Sequence, residues 1–267
     1  MLVEAIISFR EALEAALVVG IVLAYLERTG NTRYNRHIYL GVCAGVFVSL
    51  LGGFILFSLG NDFEGAGAKL FEGSMMLIGS LLVSWMILWM LRQAHVKKEI
   101  EAKVGKELGE KHALGLLLFV FVSVLREGIE TVIFLSASYF SSASFSVFGA
   151  LFGFGLAVLL AFFIFEAAAR VDLKTFFNST SILLVFFAAG LFSHGIAEFQ
   201  EAGLFAGQAP VWDSSWLVGK ESAAGVIMKT LLGYTPAPTA LRVEAYLFYW
   251  TVIGLAYRNI DRLHKVI

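Results

Sequence analysis

Residues 8–17 read SFREALEAAL, and residues 124–133 read VLREGIETVI. Each stretch sets an arginine and two glutamates into a run that otherwise reads as a membrane span. They are Arg10, Glu11 and Glu14 in the first, and Arg126, Glu127 and Glu130 in the second. A charge at the centre of a membrane helix costs roughly 2.5–3.5 kcal/mol on insertion scales, and such residues are usually functional. Two copies of one R-E-x-x-E pattern therefore pose both the architectural and the chemical question.

The 267-residue chain around them is 58% hydrophobic and only 15% charged, with a mean hydropathy of +0.79. A soluble domain would carry about 25% charge. The apolar residues fall in blocks of the roughly 20 residues needed to cross a bilayer. Seven spans are expected, near 4–26, 38–60, 70–91, 114–138, 146–169, 179–199 and 243–258, which makes an all-α polytopic membrane protein. A net charge of −1 gives no footing for nucleic acid. The single cysteine, Cys43, excludes a disulfide within the chain and reads as a small buried hydrophobe. The start lacks a basic n-region and a cleavage site, so the first span is expected to be retained.

Lysine and arginine set the orientation. Arg28, Arg33 and Arg36 follow span 1, six more lie between Arg92 and Lys111 after span 3, Arg170 and Lys174 follow span 5, and Arg258, Arg262 and Lys265 follow span 7. The opposite loops hold only Lys69, Lys220, Lys229 and Arg242. This bias places the N-terminus outside and the C-terminus in the cytoplasm. Residues 93–113, the one strongly polar stretch, read as a solvated cytoplasmic connector, with a short amphipathic helix as the alternative. Residues 202–242 form an external loop holding Trp212, Trp216 and all three prolines.

The motif opens two sets of three spans, 1–92 and 114–201, and residues 243–267 add a seventh helix and a cytoplasmic tail. An odd number of spans per half inverts the second half relative to the first. Inverted repeats of this kind build many transporters, with the substrate site near the midplane. The pairs Gly41/Gly45, Gly149/Gly153 and Ala189/Gly190 would let helices approach closely.

On a helix, residues three apart share a face at about 5–6 Å between Cβ atoms. Glu11 and Glu14 can therefore aim at one point, as can Glu127 and Glu130. Arg10 and Arg126 can organise these carboxylates, each four residues before the second glutamate of its motif. If the two helices face each other, four carboxylates converge. Carboxylate oxygens suit a hard cation, and no cysteine or histidine cluster points to zinc or copper. Further acids lie toward the outer side. Glu72 starts span 3 and Glu198 ends span 6, both as candidate metal ligands. His194, Glu201, Asp62 and Glu64 are candidates for entry or gating. His194 equally suits a hydrogen-bonded core residue, Glu166 an interfacial one, and Met75 and Met76 packing.

The stretches FREALEAALVVG, LREGIETVIFL, LFEGSMMLIGSLLVSWMILWM, AAGLFSHGIAEFQEAG and LLGYTPAPTALR together resemble the iron-permease family. That family comprises the fungal high-affinity permease that works with a multicopper ferroxidase, and bacterial EfeU-type relatives. The resemblance covers nearly the whole chain. It matches the family's two iron-binding motifs to Arg10, Glu11, Glu14 and to Arg126, Glu127, Glu130, with Ala12 where the family often has glycine. It implies seven helices, an outside N-terminus and inward transport of ferric iron across a plasma or bacterial inner membrane. It also implies an external ferroxidase or peroxidase partner. Iron is then cargo, with no permanently bound cofactor.

The residues alone leave a divalent Fe²⁺ or Mn²⁺ carrier open. An intramembrane metalloenzyme is the rival from another class. Against it, the chain offers no paired helix histidines for haem and no H-E-x-x-H.

Overall fold

The computed structural model describes residues 2–90, 100, 104–105, 113–141, 145–165, 173–207, 209–216, 228 and 232–264. Glu166, Arg170, Lys220, Lys229, Lys265 and the basic residues within 91–99, 101–103 and 106–112 lie outside them. The first helix, α1, runs Leu2–Arg28, with Glu4 in its first turn and Arg28 in its last, each sign matching the helix dipole. Its end is written in the sequence. Gly30 takes φ 69°, its N–H bonds to Glu27 O at 3.0 Å and that of Asn31 to Leu26 O at 2.8 Å. These are the two bonds of a Schellman cap, which needs a left-handed residue at this point.

After a 3₁₀ turn at Thr32–Tyr34 come α2 (Asn35–Asp62), α3 (Ala66–Met90), α4 (Ala113–Ser141), α5 (Val147–Phe165), α6 (Leu173–Glu201) and α7 (Ala240–His264). Among the described residues the regular structure is thus helical, apart from one isolated bridge between Pro210 and Thr239. α2, α3, α5 and α6 are long and apolar enough to cross a membrane. α1 and α4, of 27 and 29 residues, are also long enough at about 1.5 Å per residue, but carry the charged motif mid-helix. α2 and α5 turn large apolar side chains outward, including Phe47, Leu50 and Phe54 on one and Phe148, Leu151 and Phe162 on the other. Cys43 is exposed on that same face of α2, one turn before Phe47. Its expected burial is corrected by the helix rotation, since an outward apolar face leaves no core for the thiol to join.

The chain divides into two compact units. The first comprises Met1–Leu56, Gln93–Val132 and Ser146–Leu173. Within it α1 packs along α5, and α2 packs on α4 through its small residues. A Cβ built on Gly45 would lie 3.1 Å from Phe121 O, and one on Gly153 would collide with Ala5 O. Phe121 follows Ala5 by the same interval as Arg126 follows Arg10. The α2–α4 and α5–α1 contacts are therefore counterparts of one another.

Val22 and Leu26 of α1, Tyr34, Ile38 of α2, and Leu116, Val120 and Val124 of α4 form one buried apolar cluster. The C-terminal half of α1 thus lies beside the N-terminal half of α4, and the two run antiparallel. Ile100 and Val104 are buried in the same cluster. The polar stretch 93–113 is therefore no wholly solvated link: two of its few apolar side chains reach this core.

The second unit comprises Phe57–Arg92, Ile133–Phe145 and Lys174–Ile267. α3 crosses α6 where Gly73 and Gly195 meet: a Cβ on either would lie 2.8 or 2.9 Å from the other's carbonyl oxygen. Buried hydroxyls tie the helices further, with Ser80 Oγ donating to Ala188 O at 2.7 Å and Ser84 Oγ 2.8 Å from Tyr249 OH of α7. Met75 and Met76 are buried packing residues. α6 ends in a second Schellman cap at Gly203. The loop beyond folds back, so that Gly233 sits against Gly190. Of the pair Ala189/Gly190, Gly190 therefore admits a loop backbone at close approach. Trp212 and Trp216 are exposed.

Candidate metal centre

The intrahelical spacing of R-E-x-x-E does on each helix what periodicity requires. Arg10 Nη1 lies 2.8 Å from Glu11 Oε1 and Nη2 lies 2.9 Å from Glu14 Oε1. The second contact is an ion pair without hydrogen-bond alignment. Arg126 Nε donates to Glu130 Oε1 at 2.8 Å, with Glu127 Oε1 at 3.9 Å. The two motifs are unequal in depth. The Arg10 side chain is 0% exposed, that of Arg126 45%.

Three of the four glutamates converge. One oxygen from each of Glu11, Glu127 and Glu130 lies within 4.8 Å of the other two. A hard cation holds oxygens at about 2.0–2.6 Å, so opposite ligands of one ion stand about 4–5 Å apart. The spacing already matches a single ion. Glu11 Oε2 and Glu127 Oε2 are buried with no hydrogen-bond partner. Buried anionic oxygens are costly unless paired or bound to a metal, and a cation would satisfy both. Glu14 pairs with Arg10, the guanidinium that also holds Glu11, and is not among the three converging carboxylates.

The other sequence candidates belong to the second unit. Lys69 Nζ lies 2.7 Å from Glu198 Oε2 and 3.0 Å from Glu201 Oε2. Glu72 stands half-buried one turn beyond Lys69 on α3. Arg242 Nη2 donates to His194 Nε2, and His194 Nδ1 lies 3.0 Å from Gly190 O, so both ring nitrogens are engaged. Asp62 ends α2 and Glu64 precedes Gly65, both exposed. Lys69 counted only as a topology marker in the sequence, because nothing local shows that α6 brings two acids to it. Glu4 is completely buried, seven residues before Glu11 and so on the same side of α1.

The model of the iron permease FTR1 family matches residues 1–258. Over 254 residues the chain is 34% identical to the ferrous iron permease EfeU of Escherichia coli O6:K15:H31 (strain 536 / UPEC), covering 93% of this chain and 92% of that protein. The ferrous iron permease EfeU of Yersinia pestis is 31% identical over 254 residues, covering 93% and 90%. No solved structure matches the chain.

Proposed function

Because the chain belongs to the iron permease FTR1 family, we propose that it takes up iron across a cell membrane through the carboxylates of Glu11, Glu127 and Glu130. It is a membrane-embedded permease by family, and the reading is a carrier rather than an enzyme. One observation carries the site: three glutamates from two helices within 4.8 Å, two of them with a buried unpartnered oxygen. The carboxylates replace the water shell of the ion. Arg10 fixes Glu11 and Glu14 from within, and the more exposed Arg126 holds Glu130.

The two motifs form one inverted repeat, supported by the matched contacts of Gly45 with α4 and Gly153 with α1. The lysine and arginine bias favours seven spans with the N-terminus outside, the apolar faces of α2 and α5 meeting lipid.

The ion carried in this reading is ferric, delivered where needed by an external ferroxidase or peroxidase. Four glutamates against two arginines leave two net negative charges when all six are ionised. Fe³⁺ would leave one positive charge in excess, costly in a low dielectric, so Glu72 and Glu198 are proposed as further carboxylates on the route. The same count favours a second reading, a divalent carrier for Fe²⁺ or Mn²⁺.

Radio-iron accumulation in sealed proteoliposomes tests all of this, with iron given as Fe³⁺ citrate or, with ascorbate, as Fe²⁺. Accumulation above empty vesicles is expected. Binding without accumulation would overturn the carrier reading, and the preferred form decides between the two ions.

A further inference from the structure

Gly128 lies inside the second motif, between Glu127 and Glu130, where the first motif carries Ala12. Glycine in a helix interior gives up more backbone freedom than alanine, and Ala12 shows that R-E-x-x-E accepts a Cβ at this position. The reason for Gly128 lies on α2. A Cβ built on it would collide with Ser49 Oγ and stand 2.5 Å from Ser49 Cβ, with Ser49 Cα at 3.9 Å. Ser49 is buried, and its hydroxyl donates to Gly45 O at 2.8 Å, which ties the side chain to its own helix.

Gly41, Gly45, Ser49 and Gly53 follow one another at four-residue intervals on α2. They meet α4 at Leu117, Phe121, Gly128 and Val132 in turn. Ser49 alone of the four carries a side chain, and it does so at the level of the motif carboxylates. The interval that relates Gly45 to Gly153 carries Ser49 to Ala157, and that relating Arg10 to Arg126 carries Ala12 to Gly128. One half of the repeat thus has serine and glycine at these positions, and the other has two alanines. On the α2–α4 side, all the spacing between the helices is set from α2.

That spacing matters because a metal centre tolerates little error: a binding constellation has to be held within about 0.5 Å. Carbon atoms in contact stand about 3.5–4.0 Å apart. A Cβ at position 128, now 2.5 Å from Ser49 Cβ, would therefore force the two helices apart by roughly 1 Å. Glu127 and Glu130 ride on the backbone that moves, whereas Glu11 rides on α1. We propose that Ser49 is a positioning residue for the metal centre. Seated against Gly128, it fixes α4 relative to α2 beside Glu127 and Glu130, and with it the fit of the three carboxylates around one ion. It acts through the α4 backbone and not as a ligand. This inference rests on the iron reading of the centre and adds a residue outside both R-E-x-x-E motifs.

The test is Mn²⁺ calorimetry on the full chain in detergent, which reads affinity and stoichiometry separately. Gly128→Ala should weaken binding about 10- to 100-fold, the range by which loss of a supporting group lowers metal affinity, at unchanged stoichiometry. Adding Ser49→Gly to that variant moves the Cβ from one helix to the other and should restore most of the affinity. Ser49→Ala keeps the Cβ and should bind like the parent. Ser49→Val, which adds bulk from the α2 side, should give a smaller loss than Gly128→Ala and serves if that variant does not fold. Parental affinity in Gly128→Ala, or in Ser49→Val where only that variant folds, would overturn the inference. So would a lower stoichiometry at parental affinity, which marks Ser49 as a packing residue only. Failure of Ser49→Gly to rescue, or lost affinity in Ser49→Ala, would overturn it too. Glu11→Gln keeps the two readings apart. Parental binding in that variant would sink the centre and this inference with it, whereas lost binding there beside a parental Gly128→Ala would sink only the role of Ser49.

Discussion

Replacing Arg10 by lysine keeps the charge and removes the fork. The guanidinium uses two nitrogens, Nη1 at 2.8 Å from Glu11 and Nη2 at 2.9 Å from Glu14, with the side chain fully buried. A lysine presents a single nitrogen and can keep only one of these contacts at full strength. A buried polar group left without its partner costs about 1–3 kcal/mol, which at 1.4 kcal/mol per decade is about 5- to 150-fold in the equilibrium it supports. Arg126 holds Glu130 at 2.8 Å from a side chain 45% exposed. Exposed pairs are worth roughly 0.2–1 kcal/mol, or about 1.5- to 5-fold. Arg10→Lys should therefore weaken iron binding and uptake by about an order of magnitude more than Arg126→Lys. Radio-iron uptake in proteoliposomes and Mn²⁺ calorimetry on the solubilised proteins measure both. Equal losses in the two variants, or a larger loss for Arg126→Lys, would refute the argument that burial and forked pairing make Arg10 the organising residue.

Glu11→Gln, Glu127→Gln and Glu130→Gln should each abolish iron uptake in a folded protein, since glutamine keeps the shape without the anionic oxygen. Parental uptake in all three would end the coordination model. Glu14→Gln should act more weakly, through Arg10, and restoring Arg10 geometry crystallographically without restoring uptake would contradict that route. Gly153→Ala puts a Cβ into Ala5 O and 2.8 Å from Ala5 C, so α1 and α5 must separate. Overpacking of this kind costs about 1–3 kcal/mol and should lower the melting temperature in detergent, whereas Gly52→Ala, with nothing within 4 Å, should not. On a Cys43→Ser background, an impermeant thiol reagent applied to intact cells should label Trp216→Cys and spare Thr32→Cys. The reverse pattern would invert the topology.

Much of this protein is legible one helix at a time. Hydrophobic length and the lysine and arginine bias are properties of composition, and Gly30 and Gly203 mark helix ends because a left-handed cap suits glycine. The i, i+3 and i, i+4 spacings of R-E-x-x-E put each arginine beside its glutamates without reference to any other helix. What a helix meets is a different matter. Periodicity defines faces but not which face turns inward. Cys43 thus faces outward beside Phe47, and Gly190 receives the loop at Gly233. The two motifs, equal as text, differ once packed: Arg10 is buried and Arg126 is not, and Glu11 joins Glu127 and Glu130 while Glu14 remains with Arg10. Lys69 acquired its ion pairs only when packing brought two acids of α6 to it. Burial depth and cross-helix distance depend on where neighbouring backbones pass, and that information is spread over residues far apart in the chain.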